Sequence, residues 1–183
     1  MQVSFRATLI NKHFVYKKQN NNFDTKLEAD FVELDINSEE DYETIRSVGS
    51  TWEEGSSLAG DLWDMYTSQK FCTTNKEFPQ YRYFALTDGS KTLNANNVLG
   101  IASLLKENDK TYKLQHLQVN PKHIYSNTKR ELKHVGSAII ESILKLIPNK
   151  DITLYPYSKE AEKFYEKLNF EKLRNSFYMI HRG

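Results

Sequence analysis

The residues of this 183-residue chain that could do chemistry gather in its C-terminal third. Leu117, Gln118 and Val119 form an apolar strand end closed by Asn120-Pro121, and Leu132-Lys133-His134-Val135-Gly136-Ser137-Ala138 places small residues where helical periodicity begins. A helix N-terminus just beyond a strand end leaves N–H groups unpaired and adds roughly half a positive charge from the macrodipole. Such a corner holds an anion, for example the pyrophosphate of a nucleotide cofactor. Further on, Ala161, Phe164, Tyr165 and Leu168 follow Ser158 at helical spacing. Ser158 is a good N-cap, and Asn169 tolerates the left-handed turn that ends a helix. Phe164, Leu168 and Phe170 read as core residues. His116 is of a type that exchanges protons near neutral pH, although a lone strand histidine is more often packed or at the surface.

Periodicity gives the elements that must carry these residues. Val3, Phe5, Ala7 and Leu9 alternate with polar residues, and Asn11-Lys12 separates them from the run 13–16, which predicts an N-terminal hairpin within an extension of residues 1–28. A strand over 30–36 follows. Ser38 caps a helix reaching about Val48, with Asp41 completing an acidic first turn; 49–55 is a break, and 57–70 is a second helix. Strands are expected over 81–87, 98–106 and 111–119, then a long amphipathic helix over 129–147 stopped by Pro148. A strand over 151–155, a helix over 158–168 and two short strands close the chain. The order predicts one α/β domain spanning 1–183, with a mixed, mostly antiparallel central sheet flanked by helices.

Composition excludes several classes. One cysteine, Cys72, cannot form an intrachain disulfide, and no leader-like segment opens the chain, so a reduced cytoplasmic protein is expected. No apolar run reaches the roughly 18 residues needed to span a bilayer. The formal charge of +1 gives no global attraction to nucleic acid, and the five histidines show no metal-ligand spacing. Charge is unevenly distributed, however. Residues 38–70 hold eight acids against two bases, whereas twelve Lys and Arg face seven acids from Pro121 onward. Such runs are ordinarily solvated helix faces; a polyanionic cofactor at the basic part and a cationic acceptor at the acidic part would produce the same pattern.

The element order from about residue 30, together with both C-terminal motifs, resembles the GNAT acyltransferase superfamily. The resemblance implies acetyl-CoA as co-substrate, no metal, and transfer of the acetyl group to a primary amine in a ternary complex. It implies that the strand ending at Leu117-Gln118-Val119 splays from its neighbour, pairs with the pantetheine amides, and polarises the carbonyl through a backbone N–H near Val119. The pyrophosphate loop of the family, Arg or Gln, two residues, Gly, one residue, then Gly or Ala, falls on Glu131 to Gly136. Gly136 fits; Glu131 and His134 depart, and a protonated His134 can donate to phosphate in compensation. The resemblance also puts Ser158 among the cofactor-binding residues. The resemblance makes Tyr165 the acid that protonates the departing thiolate, a phenol being able to hydrogen-bond a sulfur whose own pKa is near 8.5. The glutamate that some members place twelve residues earlier is Thr153 here. The base is then His116 or a water chain through Gln115 or Tyr155. Glu53, Glu54, Tyr155 and Tyr157 are the expected acceptor-binding residues, the acceptor being a cationic small molecule or peptide rather than nucleic acid or membrane, and the protein a monomer or homodimer. The rival expectation is a GNAT-like module that binds a ligand or partner without catalysis.

Overall fold

The computed structural model describes residues 7–19, 22–52, 58–71, 80–90, 93–121 and 132–183. Among them, nine strands form one sheet in the order β6-β1-β2-β3-β4-β5-β7-β9-β8. They are β1 (Thr8–Gln19), β2 (Asn22–Leu34), β3 (Tyr81–Thr87), β4 (Val98–Lys106), β5 (Thr111–Val119), β6 (Leu132–Lys133), β7 (Asp151–Leu154), β8 (Glu171–Lys172) and β9 (Met179–His181). All neighbouring pairs are antiparallel except β5 with β7. The helices are α1 (Glu39–Trp52), α2 (Leu58–Phe71), α3 (Val135–Leu146) and α4 (Lys159–Glu166).

Two apolar layers cover the sheet. On one face Val32, Tyr83, Ala85 and Ile101 meet Ile45 and Val48 of α1 and Leu62 and Tyr66 of α2. On the other, Phe31, Phe84 and Ala102 meet Ile139, Ile140 and Ile143 of α3 and Tyr165 of α4. This is why α3 reads as apolar at every fourth position. Ser38 accepts the Asp41 N–H at 3.3 Å, and the Asp41 carboxylate accepts the Asp35 N–H at 2.7 Å, fixing the turn into α1. The Tyr66 hydroxyl then donates to the Asp35 carbonyl at 2.8 Å and ties α2 to that corner.

Four expected boundaries differ. The hairpin is β1 with β2, paired from Thr8↔Glu33 to Gln19↔Asn22, and the expected turn at Asn11-Lys12 lies inside β1, where the register shifts between Leu9 and Asn11. A bulge breaks the alternation of side chains as a turn would, which is why the two are alike in sequence. The strand expected over 30–36 is accordingly the end of the longer β2. Helix α1 continues through Gly49 to Trp52, because Val48 and Trp52 extend its buried stripe. Helix α3 starts at Val135 rather than at 129, since Leu132 and Lys133 pair with Lys17 and Tyr16 of β1.

Candidate active site

β5 pairs with β7 only from Thr111↔Asp151 to Leu114↔Leu154. On its other edge, β5 matches Leu114 to Leu104 and then His116 to Ser103, so Gln115 is an extra residue in the ladder. A bulge bends its strand and increases local twist. Here it sits where the β7 ladder stops, and residues 115–119 run on beside β4 with no β7 partner. A slot opens at that point. It holds a cavity of about 150 Å³ lined by Gln115, His116, Leu117, Tyr155, Tyr157 and Tyr165, among others.

Helix α4 carries Tyr165 into this slot. Ser158 accepts the Ala161 N–H at 3.1 Å and starts the helix, so its hydroxyl, expected near the cofactor, serves as a cap. Asn169 ends the turn at φ 64°, in the left-handed region its side chain tolerates. Tyr165 is 9% exposed, its ring 5.0 Å from Phe164 and 5.5 Å from Phe170. Burial pushes its pKa up, so the hydroxyl is protonated throughout the usual assay range. His116 is 7% exposed, with Nδ1 3.0 Å from Ser103 Oγ. Burial pushes its pKa down; Asp61 opposes that shift and Lys113 reinforces it. At the mouth, Tyr155 and Tyr157 are exposed and stand edge to face at 5.9 Å, with Tyr178 5.8 Å from Tyr155.

The second cluster forms at the start of α3. His134 takes φ 69° and ψ 9°, the left-handed conformation for which the family loop uses glycine. Its carbonyl accepts the Ala138 N–H at 2.9 Å and the Ser137 hydroxyl at 3.2 Å. Its ring meets Tyr16 of β1 edge to face at 5.4 Å. A cavity of about 540 Å³ lies between β1 and the start of α3, lined by His13, Phe14, Tyr16, Lys133, His134, Ser137, Ala138 and Glu141. Gly136 turns the other way: a Cβ there would stand 3.2 Å from Phe164 and 3.7 Å from Val119. Leu132, Val135 and Ala138 are buried in the core and fix the helix start. The corner fits a phosphate group: a helix begins there, its N-cap side chain makes no capping bond, and Gly136 brings the helix backbone close to Val119 at the end of β5.

The structure therefore gathers Tyr165, His116, Leu117, Tyr155 and Tyr157 around one cavity, and Lys133, His134, Ser137 and Ala138 around another. Gln118 points to the α1 and α2 side, as its cross-strand neighbour Ile101 does, and both its buried amide atoms lack a hydrogen-bond partner among the described residues. Glu53, Glu54 and Glu131 lie outside the described residues. Ser103, His13, Phe14 and Tyr16 carry no site signal in the sequence, because strand pairing across long separations brings them in. Among the described residues no cluster has the makings of a metal site, and no helix is long and apolar enough to cross a membrane.

No protein-family model and no curated protein sequence matches the chain. Solved structures do match in shape. An acetyltransferase from Thermus thermophilus aligns with a TM-score of 0.60 at 12% identity, over 85% of this chain and 97% of that one. A mutant of the toxin AtaT, bound to acetyl-CoA and the C-terminus of the antitoxin AtaR, aligns with a TM-score of 0.57 at 13% identity, over 84% and 92%. Ard1 from Thermoplasma volcanium aligns with a TM-score of 0.53 at 14% identity, over 84% and 97%. The chain has the fold of the GNAT acetyltransferases.

Proposed function

We propose that this protein is an acetyl-CoA-dependent N-acyltransferase that moves an acetyl group to a primary amine by direct attack in a ternary complex. One observation carries the reading: the bulge at Gln115 opens the sheet where Tyr165 and His116 line the same cavity. Acetyl-CoA supplies an activated acyl thioester. Residues 115–119 would hold its pantetheine arm along the open β5 edge, and His134, Gly136, Ser137 and the start of α3 its pyrophosphate. A backbone N–H near Val119 polarises the carbonyl, Tyr165 gives a proton to the departing sulfur, and His116 adds an imidazole beside the reacting centre. Neither the slot nor the helix start asks for a metal.

The proposed acceptor is a cationic small molecule or peptide that enters past Tyr155 and Tyr157, with Glu53 and Glu54 attracting it, in the cytoplasm. A field of eight acids against two bases over residues 38–70 concentrates cations and speeds their encounter. The reading is tested by coenzyme A release from the purified protein with a panel of polyamines, aminoglycosides, lysine peptides and peptide N-termini. Because a structure of similar fold is that of a KacTA–DNA complex, with a TM-score of 0.50, DNA binding by the purified protein is measured alongside the panel. With the accepted amine in hand, Glu53→Gln with Glu54→Gln is expected to raise its KM and flatten the dependence of KM on salt. No coenzyme A release with any amine, together with no acetyl-CoA shift in melting temperature, would defeat the reading.

A further inference from the structure

Ser103 on β4 and His116 on β5 stand directly opposite one another. Both are buried, Ser103 completely, and Oγ lies 3.0 Å from Nδ1. This contact can be made in two ways, with opposite consequences for the other ring nitrogen. If the hydroxyl donates, Nδ1 is bare and Nε2 carries the proton. If the hydroxyl accepts, Nδ1 carries the proton and Nε2 is free to act as a base, but the hydroxyl hydrogen then needs an acceptor of its own. The Ser103 hydroxyl makes no second hydrogen bond among the described residues and is 0% exposed. The accepting arrangement would strand a buried donor at a cost of about 1–3 kcal/mol. The donating arrangement satisfies the hydroxyl and leaves the Nε2–H, which is not among the fully buried atoms that lack a partner, for a ligand or solvent in the slot.

We propose that Ser103 is a positioning residue that holds His116 as the tautomer protonated on Nε2, so that the imidazole serves the slot as a hydrogen-bond donor to the acyl carbonyl oxygen and not as the base for the amine. This inference rests on the acetyl-transfer reading. Nδ1 is engaged by Ser103 on β4, and His116 also lines the slot cavity, which leaves Nε2 as the ring nitrogen that can serve it. Burial keeps the ring uncharged, and an uncharged imidazole N–H is a competent donor to a carbonyl gaining negative charge. When the amine lone pair forms the C–N bond, the carbonyl π pair moves onto oxygen, where the Nε2–H bond strengthens. As that pair returns, the C–S bond breaks and sulfur takes the Tyr165 proton. The surplus proton on nitrogen leaves to water, from which the tyrosinate is reprotonated.

The test is nitrogen-15 NMR of the imidazole in the full chain, assigned through His116→Gln. At pH 7.5 the expected spectrum shows Nδ1 unprotonated and Nε2 protonated, and Ser103→Ala converts it to a mixture of tautomers. The kinetic arm uses geometry: a glutamine at 116 brings its amide N–H near the Nε2 position, whereas asparagine brings its own near Nδ1. His116→Gln should keep about tenfold or more of the turnover lost in His116→Asn, with acetyl-CoA affinity unchanged in both. A proton on Nδ1, or equal loss in the two variants, overturns the proposal. Failure of the acetyl-transfer reading is distinct, since it shows as a wild-type protein whose melting temperature ignores acetyl-CoA whatever its tautomer.

Discussion

Tyr165 has the chemistry of an acid that gives up its proton only to a strong base. Its ring is buried against Phe164 and Phe170, and the pKa rises because the phenolate would lose its hydration. A departing thiolate, its thiol pKa near 8.5, is a weaker base than that phenolate, so the transfer completes only as the surplus proton of the amine is returned to the tyrosine through water. Tyr165→Phe keeps the ring and its packing, and is expected to lower kcat by about 10²-fold with the acetyl-CoA dissociation constant unchanged, as single-turnover kinetics and calorimetry would show. The wild-type rate should have no falling limb from Tyr165 below about pH 10. Tyr165 is legible in the sequence because its position relative to Ser158 and Asn169 is local, fixed by one helix and its two caps. Ser103 is illegible by the same logic: it reaches His116 only through the registration of β4 on β5, which no local pattern states.

At the scale of elements, the start of α3 after His134 is legible as a helix N-terminus, but the strand before it is not. Two residues with one side chain buried carry no period, so the pairing of β6 with β1 leaves no trace in the pattern and helical spacing runs backward over it. The bulge at Gln115 is hidden for a similar reason, since an extra residue shows only against the partner strand. His134 and Gly136 at this corner differ in what they contribute. A side chain in the left-handed region costs roughly 1 kcal/mol, so His134→Gly is expected to stabilise the fold by about that much in urea titration, less whatever the contact with Tyr16 supplies. Gly136→Glu is expected to abolish acetyl-CoA binding by calorimetry. It also lowers the melting temperature by a few degrees, because its Cβ at 3.2 Å makes Phe164 shift. Retained affinity in a folded Gly136→Glu protein would move the cofactor elsewhere.

For the molecule as a whole, two buried groups, Asp41 in the first turn of α1 and His116 in the slot, pull stability in opposite directions with pH. Burial raises Asp41 to about 6 from 3.8, with Glu40 and Asp35 adding to the shift and the hydrogen bonds from Asp35 and Ser38 reducing it. Between those values the folded state holds a proton that the unfolded state has released, so this group's contribution is full below about pH 4 and is lost as pH rises through 6. His116 behaves inversely. Its folded pKa lies below 6.5, so its contribution is full above that value and is lost as pH falls toward the folded pKa. Melting curves from pH 4.5 to 7.5 should separate the two: Asp41→Asn leaves a melting temperature that rises with pH, and His116→Gln leaves one that falls. Parallel curves would mean that neither group governs acid stability. The mixed sheet and its flanking helices are legible in outline, because alternation and helical stripes report which face is dry; the meeting of β1 with β6 across more than a hundred residues is beyond any such pattern.

That meeting gives the proposed phosphate corner a latch. The rung Tyr16↔Lys133 and Lys17↔Leu132 is only two residues long, so it can open without the rest of the sheet and belongs to the least protected part of the ladder. Residue 134 takes its left-handed turn immediately after it. A ligand held at that turn binds the latched state and not the open one, and therefore slows opening of the rung by the factor 1 + [L]/Kd. The amide hydrogen that β6 turns toward β1, one of the two at Leu132 and Lys133 because antiparallel pairs alternate, thus acts as a built-in titrator. Its exchange with deuterium would report occupancy of the corner, ligand by ligand, in a protein whose acceptor need not be known.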